Sequence, residues 1–498
     1  MAGTAAAAFK FTVHRRPAGL VPPAAPTPHE LKLLSDIDDQ ELLRAHIPFI
    51  LFYRHDVDAA SIGAARKDPA PAIRDALARA LVHYYPLAGR LRELHGRELA
   101  VDCTGEGALF IDADADVSLR QLGAPLLLPP FPCVDELLFD VPGSSAVIGS
   151  PVLLVQVTRL SCGGFVLAVR VSHAMVDASG LVQFLSAMAE LARGGASSAP
   201  APALRPAWRR ELLRARDPPR PRFAHREYDG LEARDTGNLT LVDDADAVHR
   251  CFLFGPRDIA ALRERLPPRL RSGATTFDIL MGCLWKVRTA ALAPDADVEM
   301  RMICVVNGRP RRRRGGGGGT GSGVLLPRGY YGNAVSFPVA ISAADKLCSR
   351  PLSYAVELVM EAKAEVTMDA MEYMRSVADL MALRGRPGVA MANTYVVSDQ
   401  TKAGRAGAGL DFGWGRPAYV GPTVGAINVP GPGAFSFLVQ FRSAGAGDGA
   451  RGEEGIAVPV CLPGAAMGRF EEEMGKLLPH PAVDVSRAQQ LQQPRSAL

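Results

Sequence analysis

The chain lacks the paired cysteines that a disulfide framework or a zinc site requires. Its eight cysteines are scattered over 498 residues, and the two that lie closest together, Cys283 and Cys304, are 21 positions apart. No CxxC pair occurs. In a chain of this length, such spacing is typical of free thiols in a reducing compartment. We expect mostly buried, unpaired cysteines and no metal site.

Long apolar runs and a large charge imbalance are also missing. No window approaches the ~18 consecutive apolar residues of a membrane helix, and the first 28 residues contain no signal-peptide core. The net charge is only +4, which is too small to indicate nucleic-acid binding. We expect a soluble protein without membrane or nucleic-acid partners. It is cytoplasmic, or peroxisomal if the C-terminal Ser496-Ala497-Leu498 acts as a peroxisomal address.

Several motifs that would indicate other enzymes are absent. The sequence has no GxSxG nucleophile elbow, no HExxH zinc motif and no Walker A loop. A GxGxxG match at 316–321 lies inside a glycine run and carries little information. The arginines at 311–314 lack the interleaved aromatics of a nucleic-acid-binding surface. These absences argue against hydrolases of the elbow type, zinc proteases, P-loop enzymes and nucleic-acid-binding proteins.

The length and the proline distribution predict two domains. A single core rarely grows beyond roughly 250–300 residues, and a proline-rich stretch at 196–226 interrupts the regular patterns near the middle of the chain. We predict an N-terminal domain at 1–204, a crossover at 205–235 and a C-terminal domain at 236–498. Both halves mix strand and helix patterns, which predicts two α/β domains of similar size.

The clearest local pattern surrounds residue 173. Val152–Leu160 and Phe165–Val171 are rich in β-branched residues and flank the turn Ser161–Gly164, which predicts a hairpin. Apolar residues then recur at helical spacing from Leu181 to Leu191. Later patterns predict strands at 249–254, 303–306, 426–441 and 455–460, and helices at 256–266, 275–293, 354–367 and 466–478.

His173 and Asp177 lie at the predicted strand-to-helix junction. Histidine is the natural general base near neutral pH, because its ordinary pKa is about 6.5. At the end of a strand its ring can project into a cleft, and an acid four residues later can orient it. The structural alternative is that His173 is a satisfied structural histidine and Asp177 a helix N-cap. HxxxD alone is a weak signal.

A second motif, Asp411-Phe-Gly-Trp-Gly415, is more specific. Gly413 and Gly415 flank Trp414 and permit positive φ angles and close backbone approach. A tight turn anchored by a buried aromatic ring is the alternative to a functional role.

Together, the two motifs resemble those of the BAHD family of plant acyl-CoA-dependent acyltransferases. Their order and spacing fit across essentially the whole chain, and further matching segments are Leu87–Leu91, Val306–Arg309 and Gly329–Asn333. Segments that resemble the benzyl alcohol benzoyltransferase and alcohol acyltransferase branch are Pro130–Cys133, Leu138–Asp140, Asp177–Phe184 and Val397–Thr401. The resemblance implies two domains, each like chloramphenicol acetyltransferase with a mixed sheet flanked by helices, and a solvent channel between them.

The resemblance also implies roles for particular residues. His173 would deprotonate the acceptor hydroxyl, and Asp177 would pair with Arg309 and hold the loop. Asp411 is a second catalytic candidate, although its motif lies away from the reacting carbon in the family and, with Gly413 and Trp414, supports the structure. Ser398 is a candidate for contact with the oxyanion or the pocket. The co-substrate would be acyl-CoA, with no permanently bound cofactor and no metal.

The acceptor stays open at this stage. The branch suggests a benzoyl or another small acyl group and a small alcohol such as benzyl alcohol. The alternatives are an amine or another specialised metabolite as acceptor, and a non-catalytic ligand-binding relative.

Condensation domains of peptide synthetases share HxxxD, but their motif has His and Gly where this chain has Ser172 and Ala178. An Arg/Gly insertion, 311–323, departs from the family pattern and puts the assignment of CoA-phosphate contacts in doubt. The family is usually monomeric.

Overall fold

The computed structural model describes residues 10–55, 68–123, 127–131, 134–194, 201–230, 246–309, 326–402, 409–423, 432–442 and 454–478. Seventeen strands lie within these ranges. They are β1 Val13–Arg15, β2 Gly19–Val21, β3 Leu31–Leu33, β4 His46–Tyr53, β5 Arg90–Glu93, β6 Leu99–Asp102, β7 Ala108–Ala115, β8 Leu153–Leu160, β9 Phe165–Ser172, β10 Ala247–Phe254, β11 Glu299–Asn307, β12 Val335–Ser336, β13 Val339–Ala343, β14 Thr394–Asp399, β15 Tyr419–Pro422, β16 Phe435–Arg442 and β17 Glu454–Pro463.

Ten α-helices lie within the same described ranges. They are α1 Pro69–His83, α2 Val134–Leu137, α3 Ala178–Arg193, α4 Pro256–Glu264, α5 Pro268–Arg271, α6 Thr276–Leu292, α7 Ala344–Ser349, α8 Leu352–Met368, α9 Ala370–Arg384 and α10 Gly464–Leu477.

The strands form two large mixed sheets and one small sheet. The first large sheet has the order β1-β7-β8-β9-β4-β15, with β2 also pairing with β7. The second has the order β10-β17-β16-β14-β11-β12, with β13 also pairing with β11, and its β11, β14 and β16 run parallel. The small sheet is β3-β6-β5. The predicted mixed α/β fold with two sheet-containing halves is confirmed.

Each large sheet is covered by helices on one face. α1 and α3 pack on the first sheet, and their apolar faces close a core with strands β4 and β9. α6, α8 and α10 do the same for the second sheet. The opposite face of the first sheet meets Phe437 and Val439 of the second sheet. The two halves therefore share an apolar contact.

The predicted hairpin before residue 173 is present as β8 and β9. The two strands pair antiparallel from Leu153 with Val171 to Arg159 with Phe165. The later predicted strands and helices also appear, with ends that move by a few residues; of the segment predicted at 426–441, only 435–441 is strand among the described residues. The patterns did not predict α1, α9 or β4.

The chain does not divide at a single crossover. The described part of the crossover, 205–230, contains only short 3-10 turns at 210–213 and 226–228, as its prolines lead one to expect. However, β15, which belongs to the C-terminal half of the sequence, lies in the first sheet and pairs antiparallel with β4. Residues 410–422 were predicted to lie with the C-terminal domain, but Leu410, Phe412, Trp414 and Val420 pack in the core of the first sheet.

Seven cysteines lie in the described part of the chain, and all seven are free thiols. Five are buried, whereas Cys162 and Cys348 are exposed. None of the helices described is long and apolar enough to cross a membrane. The 311–323 insertion, Cys133 and the Ser496–Leu498 tail lie outside the described residues.

Candidate active site

His173 follows directly after β9, at the start of a five-residue loop that leads into α3. Its backbone is fixed on both sides: its N–H donates to the Ala45 carbonyl at 2.7 Å, and its carbonyl accepts from Asn333 Nδ2 at 2.7 Å. The Met175 N–H closes the turn onto the Ser172 carbonyl at 3.0 Å. The loop that carries the candidate base therefore has a defined geometry.

The His173 side chain is half-buried. Its Nδ1 atom is enclosed and has no hydrogen-bond partner among the described residues, which leaves Nε2 as the ring nitrogen available to a substrate. Burial lowers the pKa of His173, and this effect outweighs the opposing contributions of its own backbone, of Asp177, and of Val176 and Asn333. At neutral pH the imidazole is therefore in the neutral form that a general base requires.

Both carboxylate oxygens of Asp177 are occupied by groups other than His173. Oδ1 accepts from the Gly180 N–H at 2.9 Å, which is the N-cap bond of α3. Oδ2 accepts from Arg309 Nη1 at 2.5 Å and from the Ala334 N–H at 3.1 Å. The structure thus brings Asp177 and Arg309 together. Asp177 makes no hydrogen bond to the imidazole, in contrast to the aspartate of a Ser-His-Asp triad.

Arg309 and the turn 329–333 tie the second half of the chain to α3. Arg309 Nη2 donates to the Gly332 carbonyl at 2.6 Å, and Gln183 Nε2 donates to the Gly329 carbonyl at 2.9 Å. The backbone approach is so close that a Cβ atom on Gly180 would lie 1.9 Å from the Tyr331 carbonyl oxygen. Glycine is required there because no side chain fits.

The sequence patterns did not single out two charged residues under this loop, Asp38 and Arg210. Arg210 Nη2 donates to the Met175 carbonyl at 2.7 Å, and its Nη1 lies 2.9 Å from Asp38 Oδ1. Asp38 follows a stretch with no functional motif, and Arg210 is one of many arginines in the crossover. The only signal available was an arginine two positions after Trp208 in a proline-rich segment.

The Asp411–Gly415 motif lies at the other end of the hairpin strand. Asp411 Oδ1 accepts from the Gly413 and Gly415 N–H groups at 2.7 and 2.9 Å, and both glycines have positive φ. Trp414 packs edge-on against Phe165, the first residue of β9. His173 lies eight positions beyond Phe165 along this strand, which corresponds to roughly 26 Å. The structure therefore places Asp411 in a turn of its own, away from His173.

Ser398 lies near the carboxyl end of β14, opposite Val305 of β11. Two residues further along β11, Asn307 Nδ2 donates to Ser179 Oγ at 2.9 Å in the first turn of α3. The carboxyl ends of these parallel strands thus face the His173 loop. Ser398 is half-buried, and its Oγ accepts from Gln400 Nε2 at 2.9 Å. No three His, Cys, Asp or Glu side chains in the described ranges come together as metal ligands.

These features define a protein of two mixed sheets, in which residues of both halves fix the loop that carries His173. The family model described as "Transferase family" matches residues 11–477. Benzyl alcohol O-benzoyltransferase from Petunia hybrida is 50% identical over 468 residues, covering 94% of each chain. Alcohol acyl transferase 1 (allele GSa) from Malus domestica is 48% identical over 94% of each chain. The crystal structure of vinorine synthase matches with a TM-score of 0.63 at 22% identity, covering 94% of this chain and 98% of that one.

The chain belongs to this Transferase family, the BAHD acyl-CoA-dependent acyltransferases. The structural match, at 22% identity, adds agreement on the fold.

Proposed function

We propose that the chain transfers a benzoyl or another small acyl group from acyl-CoA to the hydroxyl of a small alcohol, with His173 as the general base. The single observation that carries the proposal is the state of His173: a neutral, half-buried imidazole on a fixed loop, with Nδ1 enclosed and Nε2 available. The named relatives, which act on benzyl alcohol and other alcohols, support the substrate class.

In this mechanism His173 Nε2 removes the proton from the acceptor hydroxyl. The oxygen attacks the thioester carbonyl and a tetrahedral oxyanion forms. When the C–S bond breaks, the proton on His173 passes to the departing CoA thiolate, so that the imidazole is neutral again. No further activation of the acyl group is needed, because a thioester is already reactive. General-base catalysis of this kind contributes about 10²–10⁴-fold to the rate.

The neighbouring residues take supporting roles. Asp177 and Arg309 hold the loop through their partly buried ion pair, while Asp411, Gly413 and Trp414 build a turn at the far end of β9. Ser398 is a candidate donor to the oxyanion, because its Oγ already accepts from Gln400 while its own hydrogen has no acceptor among the described residues. The protein would act as a monomer, with the acceptor and acyl-CoA entering the channel between the halves from opposite sides.

The test is a matrix of acyl-CoA donors against alcohols and amines, with thiol release as the readout, starting with benzoyl-CoA and benzyl alcohol. We expect His173→Ala to lower kcat by at least about 10²-fold, while calorimetry shows that CoA still binds. His95→Ala, an exposed histidine outside the site, is the control and should retain full activity. Turnover by His173→Ala at the wild-type rate would reject the mechanism, and preferred transfer to an amine would replace the alcohol as acceptor. CoA binding without turnover for every pair would favour a ligand-binding relative.

A further inference from the structure

We propose that Asp38, Arg210 and Asn333 form a positioning network that fixes the backbone carbonyls of His173 and Met175 and thereby sets where the imidazole points. This inference rests on the proposed role of His173. The three residues come from segments far apart in the sequence: the approach to β4, the crossover and the turn before β12. They meet directly beneath the loop that carries the base.

Asp38 is the centre of the network. It is fully buried, and its Oδ1 accepts from Arg210 Nη1 and from the N–H and Nδ2 of Asn333, each at 2.9 Å. Its Oδ2 accepts from the backbone N–H and the hydroxyl of Ser35 at 3.1 and 2.6 Å. A carboxylate with five donors is held in one orientation, because any rotation breaks several of these bonds.

Arg210 extends the network to the Met175 carbonyl. The side chain is 1% exposed, and its guanidinium lies over the rings of Trp208, Tyr330 and Tyr331 at 4.5, 5.3 and 5.2 Å. A Cβ atom at residue 332 would lie 1.1 Å from Arg210 Nη1. The glycine before Asn333 therefore leaves the space that this guanidinium fills.

Arg210 keeps its charge in these surroundings. Burial is the largest single effect and would lower the pKa of Arg210, but the Asp38 carboxylate together with Tyr330 and Tyr331 outweighs it and raises the pKa above its ordinary value. The guanidinium therefore remains a donor to Asp38 and Met175 across the whole working pH range.

Asn333 connects the network to His173 itself. One Nδ2 hydrogen bonds to Asp38, and the other bonds to the His173 carbonyl at 2.7 Å. Asn333 is fully buried. Since the carbonyls of residues 173 and 175 are both held from below, the loop cannot tilt without breaking a charged, buried contact. A misplacement of about 1 Å in a catalytic group lowers a rate by about 10²-fold.

The decisive variant is Asn333→Ala, which removes only the bonds to His173 and Asp38 made by one side chain. We expect kcat to fall at least tenfold, with KM for acyl-CoA changed less than threefold, because the Asn333 side chain hydrogen-bonds only to Asp38 and His173 among the described residues. Arg210→Met should have the same effect and Arg210→Lys a smaller one, because lysine retains the charge but cannot bond to Asp38 and Met175 in the same fork.

A matched control exists in the same crossover. Arg216 pairs with Asp379 of α9, which is fully buried, and this pair touches no residue of the His173 loop. Asp379→Asn should destabilise the protein while kcat stays near the wild-type value. If Asn333→Ala and Asp379→Asn lower kcat by the same factor at equal loss of stability, the network is merely structural and the proposal fails.

The pH–rate profile gives an independent readout. Burial lowers the pKa of His173, and Asn333 and Asp177 are among the groups that oppose this. Removal of the Asn333 side chain should therefore move the acid limb of kcat/KM to lower pH, whereas Asp379→Asn should not. If Asn333→Ala keeps the wild-type acid limb and the wild-type kcat, while His173→Ala is inactive, the positioning role is overturned but the proposed function stands. An active His173→Ala would instead overturn the proposed function.

Discussion

The ion pair between Asp177 and Arg309 offers the sharpest test of how the loop is held. In Asp177→Asn the new amide can still accept from Gly180 through Oδ1, but its NH₂ group faces two donors, Arg309 Nη1 and the Ala334 N–H, in place of an acceptor. Breaking a buried pair costs ~3–5 kcal/mol of unfolding free energy. The Arg309 side chain is 20% exposed and that of Asp177 is 4% exposed. Because the pair is only partly buried, we expect a loss at the lower end of this range, about 3 kcal/mol.

Urea unfolding at pH 7, followed by tryptophan fluorescence, measures this loss, and thiol release gives kcat for the same samples. Arg309→Leu should lower both quantities, because it leaves the carboxylate buried without its cation. The double variant should be destabilised by at least ~1 kcal/mol less than the sum of the two single variants, since the second change removes a charge that has already lost its partner.

Glu211→Gln is the control for this experiment. It removes an exposed ion pair with Arg209, in which both side chains are more than half exposed, and it should have no measurable effect. Wild-type stability and kcat in both Asp177→Asn and Arg309→Leu, or strictly additive losses in the double variant, would refute the coupling.

Two further outcomes follow from the same region. Burial and, to a smaller extent, the Arg170 charge lower the pKa of His46 from 6.5 to about 4, against an opposing contribution from Asp140. Because the unfolded chain binds this proton at higher pH than the folded chain does, the unfolding free energy should fall by about 2 kcal/mol as the pH is lowered from about 7 to 4.5. An equal fall in His46→Gln would contradict the assignment to His46. Gly180→Ala should lower the unfolding free energy by ~1–3 kcal/mol, because the new Cβ atom would clash with the Tyr331 backbone. Gly468→Ala in α10 is the control and should be neutral or stabilising, because its Cβ atom would lie in open space. Equal melting curves for the two variants would contradict the close approach at Gly180.

The sequence was informative where structure depends on neighbours in the chain. The β8–β9 hairpin and α3 could be predicted because the apolar period changes from strand to helix within a short stretch, and this change placed His173 at a junction. The helices α6, α8 and α10 were predicted from helical patterns within their own segments. β4 was missed because its apolar run, buried on both faces, does not alternate, and a short run of this kind can be either strand or helix.

The sequence was uninformative where structure depends on distant segments. Asp38 and Arg210 are separated by 172 positions, and no local rule pairs one acid with one arginine among so many. Asn333 was noticed only as part of Gly329–Asn333, and no role was assigned to it. β15 has four residues and pairs with a strand more than 360 positions earlier, so that its place in the first sheet could not be read from its own pattern.

The placement of Asp411 shows what a specific motif can contribute to the fold. Tyr53 stacks on Phe165 at 4.5 Å, and its hydroxyl donates to the Leu410 carbonyl at 2.7 Å, so that the Asp411 turn closes the far ends of β4 and β9. The near end of the same β9 carries His173. A strand is stiff because its ladder fixes every residue on both sides. Anchoring one end of β9 therefore constrains the direction in which His173 is presented at the other end.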